Sequence, residues 1–130
     1  MTLREVLHAH IPTLSPTSTV RDAVDKMDVY QFPALVLVDE DEAVLAVITE
    51  GDIARAASAA GSIIRMAGEP AINYATRQPR VCEADTEIGD ALHLMLMSGL
   101  TILPIVDLSR LIGAVLRVDL MQAVMQDLSP

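Results

Sequence analysis

Two stretches of this chain carry the same pattern at a fixed separation, and that repetition constrains the fold more than any other feature. Val44 to Ile53 reads V-L-A-V-I-T-E-G-D-I and Leu111 to Leu120 reads L-I-G-A-V-L-R-V-D-L, which sets Asp119 over Asp52 at an offset of 67 residues. Val115 then stands over Ile48 and Leu116 over Thr49. Upstream, Asp107 lies over Asp39 and Ala91-Leu92 over Ala23-Val24, at an offset of 68. The single residue of difference falls in the loop after that aspartate, where Glu40-Asp41-Glu42-Ala43 is longer than Leu108-Ser109-Arg110. The chain is an internal duplication. With 130 residues to share, each copy is too small to be comfortably stable alone, so the copies are expected to pack on each other.

Each copy reads β-α-β-β-α. Val44, Leu45, Val47 and Ile48 form a short β-branched-rich block suited to a strand buried on both faces, and Thr49-Glu50-Gly51-Asp52 interrupts it before a helix from Ile53 to Ala60, closed near Gly61. Upstream, Val20, Ala23, Val24 and Met27 share one helical face, with Thr17, Ser18 or Thr19 as cap. Ala34 to Val38 is a strand and Asp39 to Glu42 an acidic hairpin turn. The second copy repeats this with Val81 to Glu83 extended, Glu87 to Ser98 helical behind a cap at Asp85 or Thr86, strands Ile102 to Val106 and Leu111 to Leu116, and a last helix Val118 to Leu128. Leu3, Val6, Leu7 and Ile11 predict a further short helix that Pro12 stops. Residues 1–61 are thus the first repeat, 62–78 a connector with a short helix at Ile63 to Met66, and 79–130 the second repeat.

A hydrophobic content of 52% with only 2% aromatics makes a core of aliphatic residues and methionine, with few rings to stack a base. The net charge of −9 opposes nucleic-acid backbones and anionic lipid surfaces. No apolar run approaches the ~20 residues of a membrane span, and Met1 to Glu5 does not begin a leader, so a cytoplasmic protein without membrane insertion is expected. Cys82, the only cysteine, excludes an intrachain disulfide and a multi-cysteine zinc site. His8 and His10 point to different sides of a helix and His93 is distant, so no metal site is expected. The cluster Asp39 to Glu42 lacks the spacing of a calcium loop. No catalytic motif is present, and no enzyme is expected.

The order of elements, Thr76-Arg77-Gln78-Pro79-Arg80-Val81-Cys82 before the second helix, Leu103-Pro104-Ile105-Val106-Asp107, and the strand ending Thr49-x-x-Asp52 together resemble the cystathionine-β-synthase (CBS) domain family, over essentially the whole chain as a tandem pair or Bateman module. The resemblance implies a mixed α/β (α+β) fold of two repeats packed through their sheets with pseudo-twofold symmetry, whose clefts take adenosine-containing ligands. It implies a regulatory, signal-transducing role with no required cofactor and with AMP, ADP, ATP or S-adenosylmethionine as candidate ligands. The first cleft's ligand residues are then Thr49, Asp52, Gly51, Ala34 and Pro12, and those of a weaker second cleft Asp119, Thr101, Thr76 and Arg80.

The residue types suit that chemistry, since a carboxylate accepts from vicinal hydroxyls and a threonine hydroxyl donates to a phosphate oxygen. The plainer reading of Asp52 is a helix cap, and one carboxylate can serve both ends. Leu116 in the threonine position removes a donor from the second copy. Pro33 and Thr101 stand where the resemblance puts a phosphate-holding cation, so AMP-like ligands fit better than polyphosphates, with Arg77, Arg80 or Arg117 as substitutes. The apolar surface of Glu87 to Ser98 and Val118 to Leu128 points to a homodimer through those helices. The rival readings are a structural homodimerisation module with degenerate clefts, or a regulatory fragment of a larger enzyme, channel or transporter. The regulated protein is unknown.

Overall fold

The computed structural model describes residues 1–127. In chain order the regular elements are β1 (Thr13–Leu14), α1 (Val20–Tyr30), β2 (Ala34–Val38), β3 (Val44–Thr49), α2 (Glu50–Ala60), α3 (Ile63–Met66), β4 (Thr76–Arg77), β5 (Cys82–Glu83), α4 (Ile88–Ser98), β6 (Ile102–Asp107), β7 (Arg110–Leu116) and α5 (Arg117–Asp127), with 3-10 turns at Leu3–Glu5 and Ala71–Tyr74. The β-α-β-β-α order recurs twice, as the sequence pattern requires. Leu128 of the expected last helix lies outside the described residues.

Contacts divide the chain into a first unit, Pro12–Pro79, and a second unit that joins Met1–Ile11 to the chain from Arg80 onward. In the first unit the sheet order is β1-β2-β3-β4, with β1 parallel to β2 and the other pairs antiparallel. Ala34 to Leu37 of β2 are all buried, and Leu35, Leu37, Ala46 and Ile48 pack with Val20, Ala23, Ile53 and Met66. The second unit has the order β5-β6-β7, with Leu103, Ile105 and Val115 packed against Ile88, Ala91, Met95 and Leu120.

The duplication reaches irregular features too. The strand register slips between Leu37 and Val38 in the first copy and between Ile105 and Val106 in the second. Gln31 and Gly99 both end their helices in the left-handed region, at φ 56 and 65. The hairpins differ where the loop lengths differ. The longer one is held by Asp39 Oδ1, which accepts from the N–H groups of Asp41 at 2.8 Å and Ala43 at 3.0 Å. The shorter one turns on Leu108 and Ser109, both at positive φ (51 and 65), as a two-residue hairpin demands.

Three local expectations are corrected. The N-terminal segment is not a helix as far as Ile11: only Leu3–Glu5 turns, and His8 then pairs with Ala114 of β7, donating its N–H at 2.9 Å and accepting at 3.1 Å. A segment this short gains little from helix propensity and more from completing a strand edge. Helix α2 begins at Glu50 and not Ile53, because Thr49 is its cap. Helix α4 is capped by neither Asp85 nor Thr86; its flanking residue is Glu87, and the Ile88 N–H donates to the Met1 carbonyl at 3.1 Å.

Candidate functional site

At the β3–α2 junction the strand delivers Thr49 and the helix starts at once. Thr49 Oγ1 accepts the Asp52 N–H at 3.0 Å, and Asp52 Oδ2 accepts the Thr49 N–H at 2.9 Å, a reciprocal capping box that fixes both side chains. The other carboxylate oxygen, Oδ1, accepts from Arg55 Nη2 at 2.7 Å. Asp52 is 17% exposed and Arg55 74% exposed, so a half-sheltered carboxylate is topped by a solvated cation one turn along its own helix. A side chain at Gly51 would put its Cβ 3.2 Å from that guanidinium, so glycine keeps the approach open. Ala34 pairs with Thr49 across the strands, and Glu50 donates its N–H to the Pro33 carbonyl at 2.8 Å. Thr49, Gly51, Asp52 and Ala34 are therefore neighbours. Pro12 is buried just before β1, one strand further away.

The β7–α5 junction keeps half of this. Asp119 Oδ2 accepts the Leu116 N–H at 3.1 Å, but Leu116 has no hydroxyl to return the bond. The same oxygen lies 2.8 Å from His8 Nε2, so the imidazole donates to it. Thr101 is half-buried just before β6, while Arg80 is exposed at the head of the second unit. Thr76 is placed with the first unit, where it pairs with Val47 of β3, two residues before Thr49.

Sequence reasoning missed Arg55 and His8. Arg55 follows from Asp52 by i,i+3 helical spacing once α2 is known to begin at Glu50. His8 stands 68 residues before Thr76, as Leu3 stands before Ala71, but that offset does not say which copy either segment joins. The pairing His8 with Ala114 duly matches Thr76 with Val47.

Other features frame the site without entering it. A cleft of about 490 Å³ is lined by Val24, Met27, Phe32, Ile53 and Ile63 together with Asp28 and Glu50, and includes neither Thr49 nor Asp52. Burial pushes the Cys82 thiol above its ordinary pKa, so this cysteine is a packing residue. Among the described residues no group of three or more His, Cys, Asp or Glu is placed to hold a metal, and no helix is long and apolar enough to cross a membrane.

The CBS domain family model matches twice, at residues 3–59 and 71–126. An uncharacterised 17.7 kDa protein of Acidianus ambivalens is 31% identical over 93% of this chain and 71% of its own length. The inosine-5'-monophosphate dehydrogenase of Methanocaldococcus jannaschii is 29% identical over 91% of this chain, which spans only 22% of that enzyme. Among solved structures, CBSX2 in complex with AMP superposes with a TM-score of 0.84 over 97% of both chains at 22% identity, a likeness of fold.

Proposed function

The chain belongs to the CBS domain family as a tandem pair, and from that premise we propose that it is a non-catalytic regulatory module whose main ligand position is the β3–α2 junction, taking an adenosine-containing ligand of the AMP type. The observation that carries this reading is the Thr49–Asp52 capping box, which holds a carboxylate in place while leaving its second oxygen to an exposed arginine. Exposed ion pairs are worth roughly 0–1 kcal/mol, so a ribose diol can replace the guanidinium at little cost. The freed Arg55 is then a cation beside the site, a role for which the sequence offered Arg77, Arg80 or Arg117 only as substitutes. AMP bound to CBSX2 supports the ligand class. That the matched segment is 22% of a dehydrogenase supports a regulatory role, whether here or within a larger protein. A cytoplasmic location belongs to the same reading.

Thermal unfolding tests the site. A ligand that binds only the native state raises stability by about 2.7 kcal/mol at a hundredfold excess over its Kd. Of AMP, ADP, ATP, S-adenosylmethionine and adenosine, AMP is expected to give the largest shift. Asp52→Ala should weaken binding by roughly 1.5–3 kcal/mol, and Asp119→Ala should leave the shift largely intact. Unliganded controls separate lost binding from a lost cap. If no compound shifts the wild type, the structural-module reading replaces this one.

The same reading includes a homodimer through α4 and α5. Its support is the apolar surface left outside the cores at Leu96, Val118, Met121, Met125 and above all Met97, which is 74% exposed. Met97→Glu is expected to move the sedimentation of micromolar protein toward monomer; a monomeric wild type would exclude this interface.

A further inference from the structure

We propose that His8 is a built-in competitor for Asp119: its imidazole occupies the carboxylate of the second junction and keeps a ribose diol out, so that the tandem pair takes its nucleoside ligand on one side only. This rests on the adenosine reading above and names what sets the two junctions apart.

The two aspartates hold opposite kinds of partner. Arg55 is a long side chain on the same helix as Asp52 and can swing away without disturbing the backbone. His8 comes from the far end of the chain, and its backbone is tied to β7 from both directions, through its N–H to the Ala114 carbonyl at 2.9 Å and its carbonyl to the Ala114 N–H at 3.1 Å. Gly113 makes that approach possible. A Cβ there would lie 2.4 Å from the His8 carbonyl oxygen and 2.7 Å from Leu7 Cδ1. The first copy has Ala46 at the corresponding position, and β4 pairs beside it without such a collision. The segment therefore seats His8 by a close backbone fit, and a short side chain then reaches Asp119 with few rotamers to lose. His8 is 47% exposed and Asp119 28% exposed, so the bonded pair lies at the surface, and a ligand reaching Oδ2 has to displace the ring. Oδ2 thus accepts from both the Leu116 N–H and the imidazole, whereas the acceptor that Thr49 Oγ1 offers the Asp52 N–H has no counterpart in the Leu116 side chain.

AMP binding by the full chain, followed by isothermal titration, tests this in an Asp52→Ala background, where the first junction is disabled. His8→Ala keeps the backbone bonds to Ala114 and is expected to tighten AMP binding at least about tenfold over the Asp52→Ala background, the gain set by one freed charged hydrogen bond. His8→Gln, which still offers an N–H at similar reach, should restore the closed state. Adding Asp119→Ala to His8→Ala should abolish the gain. No gain with His8→Ala, or the same gain with His8→Gln, overturns the proposal. A ligand-free arm covers the case in which His8→Ala folds poorly: nitrogen-15 NMR of the wild type should find the proton on Nε2, and a ring with bare Nε2 would also overturn it. The wild type's own AMP response tests the adenosine reading separately, because it reports Asp52.

Discussion

The β3–α2 and β7–α5 junctions share one backbone and differ in who holds the aspartate. At the first, a threonine hydroxyl closes a reciprocal cap and a solvated arginine from the same helix takes the remaining oxygen. At the second, the hydroxyl is lost to Leu116, and a histidine 111 residues away in sequence comes to the carboxylate. The contrast teaches that duplication preserves strand register, bulge and helix start while leaving each half-sheltered polar group to find its own partner. Local partners make a site easy to vacate. A partner delivered by a paired segment makes it hard to vacate, because the backbone that delivers it is ordered by other bonds.

The contrast can be broken most severely at Gly113. Gly113→Ala drives a methyl group into the His8 carbonyl and should destabilise the protein by about 1–3 kcal/mol, seen as a Tm several degrees lower together with fast amide exchange at His8 and Ala114. Ala46→Gly, the reverse change in the first copy, should cost only about 1 kcal/mol; equal losses would mean that the close approach is unimportant. The caps come next. Thr49→Ala should cost about 1 kcal/mol and expose the Asp52 amide to exchange, whereas Leu116→Thr should complete the second box and protect the Asp119 amide. Unchanged protection at Asp119 would show that His8 excludes the hydroxyl from its place. The smallest effect sharpens the comparison with a third box, at Thr19 and Asp22 of α1. Its carboxyl is held below the usual range, chiefly by the Thr19 backbone N–H and then by the Thr19 hydroxyl. A folded pKa lower than the unfolded one means stability that is present above the ordinary carboxylate range and lost as pH falls through the depressed pKa. Exchange of the Thr19 amide should therefore quicken in that acid window; a profile flat down to the unfolding of the whole chain would remove the cap's contribution.

Much of the fold was legible because it depends on patterns within each copy. The apolar run Ala34 to Val38, the aspartate opening each hairpin, Gly61 past the end of α2 and the helix Ile63–Met66 are local signals, and local physics honours them. The residues Thr49 and Asp52 were legible for the same reason, since a hydroxyl and a carboxylate three residues apart at a strand end satisfy orphan helix N–H groups wherever they occur. The N-terminal helix was misread because Leu3, Val6, Leu7 and Ile11 obey a helical spacing that a few residues cannot sustain against the offer of a strand edge.

The sequence by itself determined that this chain is two copies of one β-α-β-β-α design, each with an aspartate opening its last helix, because offsets and turn residues are properties of order along the chain. Only the tertiary structure decided that Leu3 and His8 pack with the second copy and that Thr76 belongs beside Thr49. The physical reason is that an edge strand takes whichever segment can bond its backbone, and backbone bonding carries no side-chain signature. Gly113 reveals the choice only once the carbonyl of His8 is seen lying against it.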